Sequence, residues 1–289
     1  MDIRRILFPV DFSQRTARTA PLVSAMARQV GAEVALLHVV GTIPHWLANA
    51  ELADGEPEAM RPPDTWIALR RSQLENWAKD EWTGVAVRRY VEIGDPAHLI
   101  SEFVSRNQVD LIMMPTHGFG RFRRWLLGSV TGKVLHDTEC PVWTDVHMPE
   151  PVPREGEVRR ILCALDLEDE SGALLQWSRA LAEKLRAELR LVHAIPAAEH
   201  IPGQPDDPFR AHLLRIGREQ MEELQRRYRT ELTATVVSGN VASAVALVAG
   251  EWAADLVVIG RTPAKKGPGR LHSHAYAIIR ESPCPVISV

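Results

Sequence analysis

The sequence predicts an α/β protein in which one parallel-sheet domain is written twice. Three observations carry that expectation: short apolar runs alternate with segments of helical periodicity, the runs lack a clean in–out alternation, and the whole pattern recurs at a nearly constant offset. Alternating strands and helices imply a parallel sheet with right-handed crossovers. Strands without alternation are those covered by helices on both faces. Ile6-Leu7-Phe8-Pro9-Val10-Asp11 returns as Ile161-Leu162-Cys163-Ala164-Leu165-Asp166, and Ala32 to His38 as Ala187 to His193, both at an offset of 155 residues. Val91 to Gly94 answers Val236 to Gly239 at 145, and Cys140-Pro141-Val142 answers Cys284-Pro285-Val286 at 144. Internal duplication accounts for such matches, and 289 residues suffice for two ordinary domains. The fall from 155 to 145 places ten extra residues in the first half's Pro-rich stretch, Ile43 to Asp64, and the fall to 144 removes one from the second half's glycine loop.

In the first half the expected strands are Ile3 to Val10, Val34 to Val40, Val85 to Ile93, Leu111 to Met114 and Val142 to Val146. Ala20, Val23, Ala27 and Val30 fall at helical spacing between the first two, as Leu174, Trp177, Leu181 and Leu185 do in the second half. Gly31 stands where that first helix should end. Between the halves, His147 to Glu157 is polar with three prolines and reads as a semi-extended linker. The expected domains are therefore 1–146 and 158–289, joined by 147–157.

Charge is near balance, 34 Lys and Arg against 37 Asp and Glu for a net −3, which offers no electrostatic case for nucleic acid or an anionic membrane as main partner. The three cysteines are far apart with no C-x-x-C, and Cys140 and Cys284 hold equivalent places in the repeat. They read as small buried apolar side chains in a reducing compartment. The chain begins almost at once with a strand and lacks a signal-peptide core. Its longest apolar stretch, Val241 to Gly260, is broken by Glu251 and Asp255. A cytoplasmic protein is the expectation.

The chemistry concentrates between Asp110 and Trp143. Strand residues Leu111 to Met114 run into Pro115, then Thr116, His117 and Gly118; after nine intervening residues, Phe119 to Leu127, Gly128-Ser129 opens a helical pattern. A strand feeding a glycine loop and a helix N-terminus suits a phosphate, because the first helical N–H groups have no intrahelical partner and the dipole adds positive charge there. Glycine lets the backbone approach a ligand oxygen. Ordinary turn and cap chemistry explains the same residues taken singly. Asp11, ending the first strand, has two readings: a helix N-cap, or an acceptor for ribose or adenine groups at the switch point of a doubly wound sheet.

The spacing Gly-x-x-Gly, nine residues, Gly-Ser/Thr is the ATP-binding motif of the universal stress protein family. This stretch resembles it at Gly118, Gly128 and Ser129 and departs from it at the first glycine, where Pro115 stands. Cys140-Pro141-Val142 also resembles that family's last strand, and the likeness extends over both halves. It implies two tandem Rossmann-like domains, each a five-stranded parallel sheet of order 3-2-1-4-5 flanked by helices. It further implies that Pro9, Val10 and Asp11 line a nucleotide pocket and that Val39 meets adenine through its backbone. Met114, Pro115, Thr116, His117 and Gly118 on one side, with Gly128, Ser129, Val130 and Thr131 on the other, complete the implied site. Its ligand is ATP, with Mg²⁺ or Mn²⁺ held through the phosphates and no protein side chain on the metal. In related tandem proteins the halves pack as a pseudo-dimer through their last strands, here Pro141 to Val146 and Pro285 to Val289; a further homodimer and a protein partner stay open. The function implied is a nucleotide-dependent stress-response module, against the alternatives of a silent scaffold or a slow ATPase.

At Pro115, proline fixes φ near −65°. If the backbone there is already negative and the N–H faces away from ligand, it costs little; otherwise affinity falls. His38 and His193 sit within strands and read as satisfied core histidines, whereas His117 lies in the loop within reach of a phosphate. Arg121, Arg123 and Arg124 read as a solvated basic loop or a phosphate screen, with Phe122 and Trp125 anchoring it. In the second half Asp166 persists and Gly260 takes the place of Pro115, but Pro263 and His272-Ser273 replace Gly118 and Gly128-Ser129. Binding is therefore expected in the first half and weak or absent in the second. His272, His274 and His193 do not make a zinc site at this spacing. No Ser-Gly-Gly-x-Asp-Ser loop, His-Ile-Gly-His helix start or Gly-Lys-Ser/Thr is present to mark an ATP-consuming enzyme.

Overall fold

The computed structural model describes residues 2–41, 63–116, 127–145, 157–196, 208–261 and 273–289. Its contacts divide the chain into two compact units, one holding the described residues up to Cys140 and the other those from Pro141 onward.

The first unit runs β1 (Arg5–Pro9), α1 (Gln14–Val30), β2 (Glu33–Val40), α2 (Pro63–Asn76), a 3₁₀ turn (Lys79–Trp82), β3 (Val87–Ile93), α3 (Pro96–Asn107), β4 (Leu111–Met114) and α4 (Ser129–Asp137). The strands lie in the order β3-β2-β1-β4, all parallel. Ile6, Leu7 and Phe8 of β1 and Leu111, Ile112 and Met113 of β4 are fully buried, as strands covered on both faces must be. Helix α1 starts at Ser13, whose side chain accepts from Thr16 N, and stops at Gly31, left-handed at φ 72° as its position in the sequence predicts. Asp95 caps α3 in the same way, by accepting from His98 N.

The second unit contains β5 (Val142–Thr144), β6 (Arg160–Ala164), α5 (Ser171–Leu185), β7 (Glu188–Pro196), α6 (Pro208–Tyr228), β8 (Ala234–Gly239), α7 (Val241–Glu251), β9 (Leu256–Ile259), α8 (Ser273–Glu281) and β10 (Val286–Ser288). Its parallel strands follow β10-β9-β6-β7-β8, which is the implied 3-2-1-4-5 order in full. The closing strand of the first repeat, β5, lies here because it pairs antiparallel with β10, Thr144 opposite Val286 and Val142 opposite Ser288. The last strands of the two halves thus meet, and the side chains reinforce the pairing: Thr144 Oγ1 donates to Val286 O at 3.2 Å and Ser288 Oγ to Val142 O at 3.3 Å.

The duplication reaches individual hydrogen bonds. Asp110 Oδ2 accepts from the amides of Arg4 and Arg5 at 2.8 and 2.9 Å, and Asp255 Oδ2 from those of Arg159 and Arg160 at 3.0 and 2.9 Å. Each carboxylate ties the start of its first strand to the start of its fourth. All three cysteines are buried thiols outside any disulfide, in keeping with their apolar reading. Among the described residues, no helix is long and apolar enough to cross a membrane.

Candidate functional site

The site begins where β1 ends. Its register against β4 pairs Leu7 with Ile112, so two residues further on Pro9 comes beside Met114. Its register against β2 pairs Pro9 with Leu37, and the same steps bring Asp11 level with Val39. One sheet end therefore gathers Pro9, Val10, Asp11, Val39, Met114 and Pro115.

Just past this edge the chain turns through Phe12, which is left-handed at φ 61°. Asp11 Oδ1 holds the turn by accepting from Ser13 N at 2.9 Å and from Thr16 Oγ1. The N-cap of α1 is Ser13 rather than Asp11, so the carboxylate sits outside the helix end and buttresses it. Thr16 escaped the sequence reading; the Ser13-x-x-Thr16 spacing after Asp11 is the signal that could have found it. The second half repeats the device: Leu167 has φ 62°, and Asp166 Oδ1 accepts from Glu168 N at 3.0 Å and Ser171 Oγ at 2.7 Å.

On the other side, β4 is fastened to the start of α4. Gly128 N donates to Thr116 O at 2.8 Å, and Thr131 Oγ1 donates to Pro115 O at 3.1 Å. Thr131 is 3% exposed, and its hydroxyl is spent on this internal bond, which makes it a fastening of the loop. Gly128 is the N-cap and offers no side-chain bond to the helix end. The amides of Ser129, Val130 and Thr131, the first of the helix, therefore carry no side-chain cap. Thr116 is fully buried, and among the described residues its Oγ1 has no hydrogen-bond partner. A buried hydroxyl left so costs about 1–3 kcal/mol.

Gly260 occupies the place of Pro115 in the second copy and has no positive φ; a methyl there would meet only Leu174 Cδ2 at 3.4 Å. The position does not demand a left-handed backbone, so proline is compatible with it. His38 is 8% exposed and donates Nδ1–H to Val10 O at 2.7 Å, and His193 does the same to Leu165 O at 2.8 Å. Both are the satisfied histidines that the sequence suggested. His117, Gly118, the arginines and aromatics of 121–125, Pro263, the basic residues of 265–270 and His272 lie outside the described residues, as does most of the linker.

Among the described residues no group of three or more His, Cys, Asp or Glu is placed to hold a metal ion. A cleft of about 950 Å³ lined by Asp2, Arg28, Gly31, Glu33, Gly84 and Asp110 lies at the amino ends of the strands, away from the Asp11 edge. Its charges are largely consumed locally, Arg5 on Glu33 and Arg4 on Asp2.

Comparison with known proteins agrees with this layout. The model of the "Universal stress protein family" matches residues 2–145 and again 157–289. A universal stress protein of Methanocaldococcus jannaschii is 30% identical over 139 residues, 48% of this chain and 79% of that protein. One from Thermus aquaticus is 29% identical over 143 residues, 48% of this chain and 96% of that protein. The crystal structure of a universal stress protein from Archaeoglobus fulgidus matches with a TM-score of 0.69 at 21% identity, covering 99% of this chain and 96% of that one, which is a likeness of fold.

Proposed function

The chain belongs to the universal stress protein family, and from that premise we propose that its first half binds ATP, with Mg²⁺ or Mn²⁺ held on the phosphates. The supporting observation is the fastening of β4 to a helix that opens on glycine. Gly128 removes both the side-chain cap and the Cβ from the start of α4, while the Thr116 and Pro115 carbonyls hold that start against the strand end. Uncapped amides at the positive end of a helix suit a phosphate. The partnerless Thr116 hydroxyl at the same junction adds a donor that a ligand oxygen would satisfy. Pro9, Val10, Asp11 and Val39 form the opposite wall, with Asp11 accepting from sugar or base. Ser129 and Val130 contribute amides, and His117 and Gly118, outside the described residues, belong to the site by the family motif alone. In the second half Pro263 and His272 take the place of two glycines, and nucleotide binding there is weak or absent. The protein acts as a nucleotide-dependent stress-response module through binding rather than turnover.

Thermal unfolding with rising ATP and Mg²⁺ tests the reading, since a ligand of the folded state raises stability with its concentration. The wild-type Tm is expected to climb with ATP, and Gly128→Leu to abolish the climb. No shift at millimolar ATP would sink the assignment. An orthophosphate-release assay on the same samples distinguishes binding from hydrolysis.

A further inference from the structure

The duplication supplies an internal control for electrostatics at the two sites. Residues 11–18 (DFSQRTAR) carry one carboxylate and two guanidiniums, net +1, whereas the equivalent 166–173 (DLEDESGA) carry four carboxylates and no cation, net −4. The turn that leads into these charges is shared, as the matching Phe12 and Leu167 conformations and the Asp11 and Asp166 bonds show, while the helix itself starts at Gln14 in the first copy and at Ser171 in the second.

The basic version is not what helix stability asks for. Arg15 and Arg18 lie in the first five residues of α1, whose first turn has no acidic residue, and the helix dipole disfavours cations there. Among the described residues neither guanidinium makes an ion pair, and Thr19 Oγ1 bonds the backbone carbonyl of Arg15 rather than its side chain. The acidic version, with Glu168, Asp169 and Glu170 just before α5, is the one the dipole favours. The first copy thus holds two uncompensated cations at a helix start beside β1, the strand whose end neighbours Met114 and Pro115. Thr116 follows them, its buried hydroxyl independently lacking a partner.

Resting on the nucleotide reading, we propose that Arg15 and Arg18 are charge-selecting residues. They draw the polyphosphate to the first half, and the four carboxylates of 166–173, with Glu170 in the place of Arg15 and Ala173 in that of Arg18, make the second half repel it. The ligand class that this favours is the most highly charged member of the adenine series. Adenosine, which has no phosphate, is indifferent to the pair.

The test is calorimetric titration of the intact chain with ATP, AMP and adenosine, comparing wild type with Arg15→Glu/Arg18→Glu. At low ionic strength ATP affinity is expected to fall about tenfold or more, AMP affinity less, and adenosine affinity not at all. The ATP difference should collapse in about 1 M salt, where the Debye length is about 3 Å. The melting temperature of the ligand-free variant should stay or rise, because the dipole is relieved. A merely structural role would not give this opposite movement of stability and ATP affinity. The neutral pair Arg15→Gln/Arg18→Gln should show about half the logarithmic effect and serves if the reversal does not fold. Equal losses for ATP and adenosine, or wild-type ATP affinity in both variants, overturn this inference alone. A wild-type chain that binds no adenine nucleotide overturns the nucleotide reading and this inference with it.

Discussion

His38 gives its Nδ1 proton to the carbonyl oxygen of Val10 across 2.7 Å, one residue before Asp11. The Val10 amide bonds Leu37 O at 2.8 Å, so β2 holds the end of β1 by both main-chain groups of a single residue. The second copy keeps the arrangement through His193 and Leu165. Replacing either histidine by leucine removes the donor to a carbonyl at the sheet end and should cost about 1–3 kcal/mol in urea denaturation. The two variants should part company with ligand: His38→Leu is expected to reduce the ATP-induced rise in Tm, and His193→Leu to leave it unchanged.

Asp11 has both a structural and a ligand reading, and substitution can separate them. Its Oδ1 already accepts from Ser13 N and Thr16 Oγ1. An asparagine carbonyl can accept both bonds but lacks the charge. Asp11→Asn should therefore leave stability within about 0.5 kcal/mol while weakening ATP binding severalfold. Asp11→Ala should lose both, with about 0.5–2 kcal/mol of stability gone. Equal ATP affinity in wild type and Asp11→Asn would reduce Asp11 to a buttress of α1.

Pro115 is where the sequence departs from the family motif, and the departure has little conformational cost. Gly260 at the same place adopts no positive φ. Pro115→Gly is expected to destabilise the first unit by about 0.4–1 kcal/mol through the freer unfolded chain, and to leave ATP affinity within about threefold. A gain of tenfold or more would mean that proline blocks an N–H contact or crowds the ligand.

What was legible in the sequence follows from what repeats. The 155- and 145-residue offsets locate both sheets, both histidines and the recurring Asp11 and Asp166, because duplication samples one fold twice. Gly31 announces its left-handed cap. Gln108, Arg186 and Ala253 adopt the same left-handed conformation at φ 51°, 54° and 53° with no glycine to announce it. There the demand comes from closing the helix onto the next strand, a tertiary requirement that overrides local preference. Phe12 and Leu167 are hidden because their left-handed conformation serves the turn from a strand end into a helix start, which no local residue preference announces. At the site, glycine spacing points to the loop, but only the fold shows that the Thr131 hydroxyl serves Pro115 O and that the Thr116 hydroxyl has no partner among the described residues.

Cys163 is fully buried in β6, and burial pushes its thiol up to about 12, with Ser178 Oγ donating to the sulfur at 3.3 Å as a lesser opposing effect. A thiol whose folded value is raised contributes stability that is fully present below its unfolded value of about 8.5. That contribution is lost as pH rises toward 12. Between those limits the unfolded chain has shed the proton and the folded one has not, so stability falls by about 1.4 kcal/mol per pH unit from this group. Urea midpoints measured from pH 8 to 11 should fall more steeply for wild type than for Cys163→Ala, which starts less stable. The native thiol should resist alkylation at neutral pH and react once the chain unfolds.

Gly172, in the first turn of α5, lies under the side chain of Tyr228 at the end of α6. A methyl group there would stand 1.9 Å from the Tyr228 hydroxyl and 2.2 Å from Cζ. The first copy has Ala17 at this place, so the close approach belongs to the second half. Gly172 is buried and Tyr228 is half-buried, which leaves the ring little room to swing aside. The Gly172→Ala change should therefore cost about 1–3 kcal/mol as an overpacking substitution, although alanine is the better helix former. Adding Tyr228→Leu should recover most of that cost, giving a coupling of about 1 kcal/mol or more in the double-mutant cycle. Additive effects of the two substitutions would show that the tyrosine does not rest on this turn. ATP binding by the first half is expected to be unaffected throughout the cycle, because none of the first-half site residues is altered.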